Sequence, residues 1–259
     1  MKAHEEPLLI RPAIFSSVSG VVALQTTRKG GFSQAPFDSL NLGLRTADDS
    51  ELVRKNLRHL CDHLGLPAES VVLTDQVHGN DICIVDRPGN VTGFDALITD
   101  TPGIYPGIVT ADCYPVLIHD PEHHASGAVH AGWQGTAGSI AKKTVAAMGA
   151  SFGTRPEACI AWVGTGISAT NYEIGEEVAD RFEQRYLNPS PGGKGRFLLD
   201  LSTANRDQLI AAGIPERQVD VSTWCSSRDR ELFFSYRRDH GMTGRMLSII
   251  GVMPSCSAP

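Results

Sequence analysis

Three residues whose side chains bind metals or act as nucleophiles lie beside small residues. His78 stands in "QVHGN", Cys113 in "TADCYP" and His130 in "AVHAGW". Each lies in a predicted strand or at its end, and glycine nearby lets the backbone approach a ligand closely. Two imidazoles and one thiolate make a three-ligand zinc site whose fourth position is open to water or substrate, which is the catalytic arrangement. The same donors also suit copper.

Spacing alone leaves other interpretations open. The three residues are separated by 35 and 17 positions, which matches no local zinc motif. A free cysteine is commonly a small buried hydrophobic residue, and His130 by itself fits a core histidine. In a metal-free alternative, Cys113 is a nucleophile and His130 or His78 is its base. Asp112 directly precedes Cys113 and is predicted to orient a ligand or accept a proton, since metal ligands need hydrogen-bonding partners.

Strands and helices must position these side chains. Residues 107–120 are predicted as a strand that Cys113 interrupts, and residues 126–133 as a neighbouring strand near whose end His130 lies. Further strands are predicted over 14–27 (as two), 70–79, 80–86, 159–167, 218–225 and 244–253. Helices are predicted over 49–65, 138–149, 172–186 and 202–213. The pattern predicts an α/β (mixed α+β) fold, a single compact domain over 1–259 with a mixed β-sheet layered with helices.

Composition and charge exclude several classes of partner. A net charge of −6 over 259 residues gives no basic footprint for nucleic acid or an anionic membrane. No apolar run is long enough to span a bilayer, and "MKAHEEPLLIRP" lacks the apolar core of a signal peptide. The six cysteines are widely spaced, so we interpret them as reduced thiols of a cytoplasmic protein. The predicted partners are therefore small molecules, bound by a monomer or a homodimer.

Longer stretches resemble the YfiH-type, laccase-domain family, whose members are described as polyphenol oxidases, multicopper polyphenol oxidoreductases or purine nucleoside phosphorylases. The resemblance spans nearly the whole chain in the family's order. It rests on "TTRKGGFSQAPFDSLNLGLRTADD", "TDQVHGNDI", "FDALITDTPGI", "TADCYPVLIHD", "AVHAGWQGT", "YEIGEEV", "LDL" and "FFSYRRDHGMTGRMLSII". It implies a cysteine-hydrolase-like sandwich, in which helices surround a mixed sheet.

The resemblance also implies a metal site and an activity. His78, Cys113 and His130 match the family's metal ligands, with zinc as the implied cofactor and copper as the alternative. The implied reactions are phosphorolysis of adenosine, inosine and methylthioadenosine, and deamination of adenosine to inosine. The implied substrates are therefore purine nucleosides and phosphate.

Candidate substrate contacts come from the same motifs. Their basic residues are Arg28, Lys29, Arg237, Arg238 and Arg245. Guanidinium groups hold phosphate through two parallel hydrogen bonds, so Arg28, Arg237 and Arg238 are predicted as substrate-binding residues. The alternative is that these arginines pair with surface acids. Asn41, in "SLNLG", is predicted to hydrogen-bond a ribose or a base, and a turn-capping amide is its alternative.

Other positions bear on substrate choice. Tyr114 and Trp133 are candidates for stacking on a purine, with core packing as the alternative. Gln134 stands where the family has Arg after "HAGW", and Thr165 stands where a proline is expected. Both departures concern substrate preference more than the metal ligands.

The sequence leaves rival functions open. The chain has nine histidines and no His-x-His pair, which argues against multicopper chemistry but leaves a copper-dependent phenol oxidase with a single site. A metal-free cysteine hydrolase or amidase would act on an amide such as a cell-wall peptide precursor. A binding protein without catalysis would hold a nucleoside and release no product.

Overall fold

The computed structural model describes residues 6–254, in which fifteen strands and five α-helices follow one another. The strands are β1 Leu9–Ile10, β2 Val21–Thr26, β3 Val71–Asp75, β4 Ile82–Ile84, β5 Val91–Thr92, β6 Ala96–Thr99, β7 Tyr105–Thr110, β8 Tyr114–Asp120, β9 Ala125–Ala131, β10 Ile160–Val163, β11 Glu173–Gly175, β12 Leu187–Pro189, β13 Arg196–Leu199, β14 Val219–Val221 and β15 Met246–Val252. The helices are α1 Ser50–Leu64, α2 Trp133–Ala137, α3 Ile140–Phe152, α4 Glu176–Ala179 and α5 Leu201–Ala211.

Two six-stranded sheets and one three-stranded sheet organise these strands. The first large sheet has the order β1-β2-β15-β7-β3-β5 and the second has the order β14-β10-β8-β9-β6-β4. In the first, β3 runs parallel to β7 and β5; in the second, β10 is parallel to β14 and β4 to β6. The other neighbours in both sheets are antiparallel. The predicted mixed α/β single-domain fold is therefore confirmed, with two mixed sheets rather than one.

The two large sheets face each other across a shared apolar core. Ile108 and Ile250 of the first sheet pack against Leu117 and Ala128 of the second. Side chains alternate along a strand, so each sheet also has an outer face with apolar side chains to bury. Helices cover these outer faces. Helices α3 and α5 cover the second sheet, and α1 covers the first. The cysteine-hydrolase-like character of this sandwich remains a prediction.

Helix α1 shows how local sequence sets these elements. Asp49 caps the helix, because its carboxylate accepts a hydrogen bond from the backbone N–H of Glu51 at 2.8 Å. Gly65 ends the helix with a φ of 68°, a left-handed conformation that favours glycine. Leu60 is fully buried against the first sheet, and the helix predicted over 49–65 is confirmed. In the described part of the chain, no helix combines the length and apolar composition that crossing a membrane requires.

The helix predicted over 172–186 is wrong. The stretch contains strand β11, the four-residue helix α4 and a 3₁₀ turn at Gln184–Tyr186. Ile174 belongs to β11 and pairs with Phe197 of β13, so its burial comes from a sheet. Pairing with a strand distant in sequence outweighs a helical spacing of apolar residues.

The strands around the candidate site also differ from the prediction. Residues 107–120 belong to two strands, β7 and β8, and Cys113 lies in the turn between them. Asp112 in that turn has a φ of 92°, which no strand residue adopts. The early stretch 14–27 contains one strand, β2, because Ala13–Phe15 form a 3₁₀ turn instead of the first predicted strand.

Candidate metal centre

His78, Cys113 and His130 meet where the two large sheets end together. Their ligand atoms, one from each side chain, all lie within 4.8 Å of one another. His78 follows β3, Cys113 directly precedes β8, and His130 is the penultimate residue of β9. Among residues 6–254, this is the one group of three or more His, Cys, Asp or Glu side chains close enough to hold a metal ion. The fold thus brings the three predicted ligands together from separate elements.

The backbone beside these ligands leaves them little freedom. His78 has a φ of 60°, a left-handed conformation that is unfavourable for a residue with a Cβ and needs support from its surroundings. A Cβ added at Gly132 would lie 3.0 Å from Sγ of Cys113 and 3.4 Å from Cδ2 of His78. Gly132 therefore makes room for the thiol and the imidazole to approach each other.

Asp95 supports two of the three ligands. Its fully buried carboxylate accepts a hydrogen bond from Nδ1 of His130 at 2.7 Å and from the backbone N–H of His78 at 2.9 Å. It also accepts one from the backbone N–H of Gly79 at 2.7 Å. Burial by itself would raise the pKa of Asp95, but the hydrogen bond and charge of His130 and the backbone N–H groups lower it. With Nδ1 of His130 donating to Asp95, its Nε2 is left to act as a ligand.

In the metal-free centre, the proton of the Cys113 thiol is transferred to the imidazole of His130. Burial would raise the pKa of Cys113, but the charge and hydrogen bonds of His130 and His78 lower it to about 6. Burial would lower the pKa of His130, but Cys113 and Asp95 raise it to about 9. Cys113 and His130 therefore form a thiolate–imidazolium pair at neutral pH. The His78 and His130 rings meet edge to face, with centroids 4.8 Å apart and an interplanar angle of 80°.

This donor set fits a tetrahedral metal ion. Zinc lies about 2.0–2.3 Å from imidazole nitrogen and thiolate sulfur, which places tetrahedral ligands on the order of 3.5 Å apart. The donor atoms, within 4.8 Å of one another, reach that spacing by a small contraction. A cation between them would replace the proton that Cys113 and His130 share. The residues present therefore suit a metal.

A pocket of ≈ 720 Å³ opens onto the centre. Leu42, Leu73 and Val109 form an apolar wall on the side of the first sheet. Aromatic and basic side chains line it as well, namely Trp133, Tyr172, Tyr236, Arg45, Arg237 and Arg245. Asp112, Cys113 and His130 also line this pocket, so the metal centre is open to a ligand.

Of the three arginines predicted to bind phosphate, Arg237 lines the pocket and the other two do not. Arg28 donates through Nε to the Asp38 carbonyl at 2.7 Å and forms an ion pair with the Asp38 carboxylate at 3.1 Å. Arg238 pairs with Asp239 at 2.7 Å and donates to the Phe233 carbonyl. For these two, the structure supports the alternative of pairing with neighbouring acids.

Asn41 and Asp112 have supporting positions. Asn41 is fully buried outside the pocket lining, and its side-chain oxygen accepts hydrogen bonds from the backbone N–H groups of Gly43 and Arg245. It therefore fits the turn-capping alternative rather than a substrate contact. Asp112 lines the pocket, but its carboxylate accepts hydrogen bonds from Ser226 Oγ and the Arg237 backbone N–H, both at 2.6 Å. Asp112 thus orients the chain beside Cys113, and its role in accepting a proton stays a prediction.

Of the remaining predicted positions, one lines the pocket and the others lie outside it. Trp133 lines the pocket, whereas Tyr114 packs in the core and donates its hydroxyl hydrogen to the Ile167 carbonyl at 2.9 Å. Gln134 is exposed and lies outside the pocket lining. Thr165 is buried and donates its backbone N–H to the Gln25 side chain at 2.8 Å.

Sequence reasoning missed three residues of the site. Asp95 was not among the predicted site residues, although an aspartate directly before the apolar residues Ala96–Ile98 signals a buried carboxylate with a specific partner. Tyr172 lay in the wrongly predicted helix, so its position in the pocket was hidden. Tyr236 lies in the quoted motif "FFSYRRDHG", from which the two arginines were predicted as substrate-binding residues and the tyrosine was not.

The fold and the centre define a mixed α/β protein with a two-histidine, one-cysteine metal-binding arrangement at the base of a pocket. The sequence profile of the family described as multi-copper polyphenol oxidoreductase laccase matches residues 22–253. The chain belongs to this family, the laccase-like or YfiH family, and the predicted family is confirmed.

Relatives and solved structures agree with this assignment. A purine nucleoside phosphorylase of Deinococcus radiodurans is 45% identical over 228 residues, which cover 88% of this chain and 87% of that protein. The crystal structure of YlmD from Geobacillus stearothermophilus matches with a TM-score of 0.89 at 37% identity, covering 98% of each chain. That of the Bacillus licheniformis hypothetical protein YfiH matches with a TM-score of 0.89 at 35% identity, covering 95% of this chain and 96% of that one.

Proposed function

We propose that the protein is a metal-dependent purine nucleoside phosphorylase that also deaminates adenosine to inosine. The observation that supports this most is the His78–Cys113–His130 centre at the base of a pocket, in a chain whose relatives are named purine nucleoside phosphorylases. Adenosine, inosine and methylthioadenosine are the proposed substrates for phosphorolysis.

The metal is proposed to be zinc, held by His78, Cys113 and His130. A metal with an open fourth position supplies Lewis acidity toward a substrate atom or a water molecule. The chain itself supplies the thiolate, the imidazole orientation fixed by Asp95, and the apolar and aromatic lining of the pocket. Copper is the alternative metal for the same donors.

The pocket suits a nucleoside. Its ≈ 720 Å³ falls within the usual range for small-molecule sites and leaves room for a purine, a ribose and a second reactant. The aromatic rings of Trp133, Tyr172 and Tyr236 in its lining offer faces on which a purine can stack. In phosphorolysis, a phosphate oxygen bonds to C1′ of the ribose as the bond from C1′ to N9 breaks, and the purine leaves with a proton.

We propose the cytoplasm as the place of action. The five cysteines within residues 6–254 are Cys61, Cys83, Cys113, Cys159 and Cys225, and all are free thiols. Cys256, the sixth, lies outside the described residues. Cysteines without disulfides are typical of proteins in a reducing compartment such as the cytoplasm.

The test is a product assay on zinc-loaded protein. Adenosine and inosine are incubated with and without phosphate, and the products are separated by chromatography. The proposal expects adenine and hypoxanthine with ribose 1-phosphate only when phosphate is present, and inosine from adenosine in either case. Cys113→Ser should abolish both reactions, whereas Cys83→Ser, a partly exposed cysteine elsewhere, should keep them. Absence of free purine base in the phosphate samples would reject the phosphorylase.

A metal-free cysteine hydrolase is the second candidate, because Cys113 and His130 already form a thiolate–imidazolium pair. This candidate predicts full activity on an amide in the presence of a strong chelator. The phosphorylase predicts loss of activity on chelation and recovery when zinc is returned.

A copper-dependent phenol oxidase is the third candidate, favoured by the family description and by a donor set that also binds copper. It predicts oxygen consumption with a phenol by the copper-loaded protein. The zinc-loaded protein would then turn over neither phenol nor nucleoside.

A further inference from the structure

The arginines of the pocket differ in how their charges are balanced. Arg45 forms an ion pair with Asp75. Arg237 and Arg245 line the same pocket, and within residues 6–254 neither forms an ion pair with a carboxylate. Arg245 is partly buried, whereas Arg237 is exposed. A guanidinium that is partly removed from water without a negative partner, as that of Arg245 is, is unfavourable unless an anion joins it.

Arg245 is held with one edge of its guanidinium open. Its Nη1 donates to the carbonyls of Thr243 and Gly244, both at 3.0 Å, and its Cζ lies 5.5 Å from the centre of the Tyr236 ring. In the described residues, Nε and Nη2 have no hydrogen-bond acceptor. That edge matches two oxygens of a phosphate group.

One hydrogen bond and one close packing contact fix the position of the Arg245 side-chain stem. The Asn41 side chain accepts a hydrogen bond from its backbone N–H at 2.8 Å. A Cβ added at Gly43 would lie 2.5 Å from Cγ of Arg245, so glycine leaves the space that the stem fills. Burial disfavours the charged form and lowers the pKa of Arg245, and a bound anion would offset this.

The backbone of Arg237 is hydrogen-bonded to the residue that precedes the proposed metal ligand Cys113. Its backbone N–H donates to the Asp112 carboxylate at 2.6 Å, and Asp112 directly precedes Cys113. Its Nη1 donates to the Glu173 carbonyl at 2.7 Å while the guanidinium lies 5.2 Å from the centre of the Tyr172 ring. Nε and Nη2 of Arg237 likewise have no acceptor among residues 6–254.

We propose that the open edges of Arg245 and Arg237 form an anion subsite that holds inorganic phosphate beside the metal centre. This rests on the proposed function, in which phosphate is the nucleophile at C1′. Deamination takes up water and releases ammonia, so it does not use the subsite. The two reactions are therefore separable by substitution of these arginines.

The experiment measures phosphate binding and both reactions on zinc-loaded protein. Isothermal titration with inorganic phosphate is compared among wild type, Arg245→Gln, Arg237→Gln and Arg155→Gln. Arg155 is an exposed arginine paired with Glu122 and serves as the matched control. Loss of a charged hydrogen-bonding pair should weaken phosphate binding roughly 10- to 100-fold in the first two variants and leave the control unchanged. Arg245→Lys should recover part of the affinity, since lysine keeps the charge without the planar edge.

The kinetic readout separates this subsite from the proposed function. In Arg245→Gln the KM for phosphate should rise by the same factor as the dissociation constant, and phosphorolysis should fall by a larger factor than deamination measured in phosphate-free buffer. Equal phosphate affinity in wild type and in both glutamine variants would overturn the subsite, and so would binding weakened equally by Arg155→Gln. Saturable phosphate binding that depends on Arg245, without any phosphorolysis by wild type, would instead keep the subsite and reject the phosphorylase. If Arg245→Gln melts well below wild type, Arg237→Gln and Arg245→Lys decide the question.

Discussion

Asp95 and His130 are joined by a hydrogen bond of 2.7 Å between a fully buried carboxylate and Nδ1 of the imidazole. The backbone N–H of His130 also donates to the Asp95 carbonyl at 2.7 Å, so both the main chain and the side chain of Asp95 hold His130. The same carboxylate accepts a hydrogen bond from the backbone N–H of His78. One aspartate therefore sets the positions of two of the three proposed ligands.

Replacing Asp95 by asparagine should weaken metal binding. The amide cannot accept hydrogen bonds from His130 and from the backbone N–H groups of Val77, His78 and Gly79 as the carboxylate does, so the imidazole loses its fixed orientation. Loss of such a partner costs about 10- to 100-fold in metal affinity. Competition with a chromogenic zinc chelator measures this change. Asp100→Asn, at the exposed far end of β6, should retain wild-type affinity; equal losses in the two variants would contradict the role assigned to Asp95.

Cys113 should react with alkylating agents at an unusually low pH in the metal-free protein. Its pKa of about 6 means that the reactive thiolate forms as the pH rises through about 6. Burial instead raises the pKa of Cys83, so Cys83 should react only in alkaline solution. Mass spectrometry of iodoacetamide-treated protein between pH 5 and 9 follows both sites. Zinc should protect Cys113 and leave Cys83 unchanged, and a Cys113 profile that overlays that of Cys83 would refute the thiolate–imidazolium pair.

Local signals explain what the sequence predicted correctly. Helix α1 carries its own cap at Asp49 and its own stop at Gly65, so its limits follow from neighbouring residues. Strands rich in β-branched residues were found for the same reason. The meeting of His78, Cys113 and His130 was suggested by glycines and by the family resemblance, since their separation in sequence carries no geometric information.

Non-local contacts explain what the sequence did not predict. Ile174 takes part in a strand because Phe197 lies opposite, which no local spacing shows. Arg28 faces Asp38 instead of the pocket, and Asn41 faces the backbone of Arg245. Arg28 and Asn41 thus have supporting roles in this structure, and only their partners in space distinguish such roles from direct contact with a ligand.

Substituting Gly132 by alanine should displace the ligands without unfolding the protein. The added methyl group would lie 3.0 Å from Sγ of Cys113 and 3.4 Å from Cδ2 of His78, closer than ordinary van der Waals contact for the sulfur. We expect zinc affinity to fall roughly tenfold or more, as for other changes that disturb ligand orientation. Zinc competition and a thermal melt of the metal-free protein are the measurements. Unchanged zinc affinity would show that the ligands tolerate a wider spacing than their packing indicates.

Stability should depend on His119, a fully buried histidine between the two large sheets. Its Nδ1 lies 3.1 Å from Ser126 Oγ, while its Nε2 has no hydrogen-bond partner within residues 6–254. Burial disfavours the cation and lowers its pKa from 6.5 to about 4. The unfolded chain therefore binds the proton more readily between these values, and stability is lost as the pH falls from about 6.5 to about 4.

Between about pH 6.5 and pH 4, the unfolding free energy should fall by about 3 kcal/mol because of this one side chain. The figure follows from a lowering of the His119 pKa by roughly two and a half, at 1.36 kcal/mol for each pKa unit. His119→Gln keeps a polar group beside Ser126 but removes the titration. Urea unfolding at several pH values between 7 and 4 should show a shallower loss of unfolding free energy in this variant than in wild type. Parallel curves for wild type and His119→Gln would mean that the pKa of His119 is the same in the folded and the unfolded chain, because only then does its removal leave the slope unchanged.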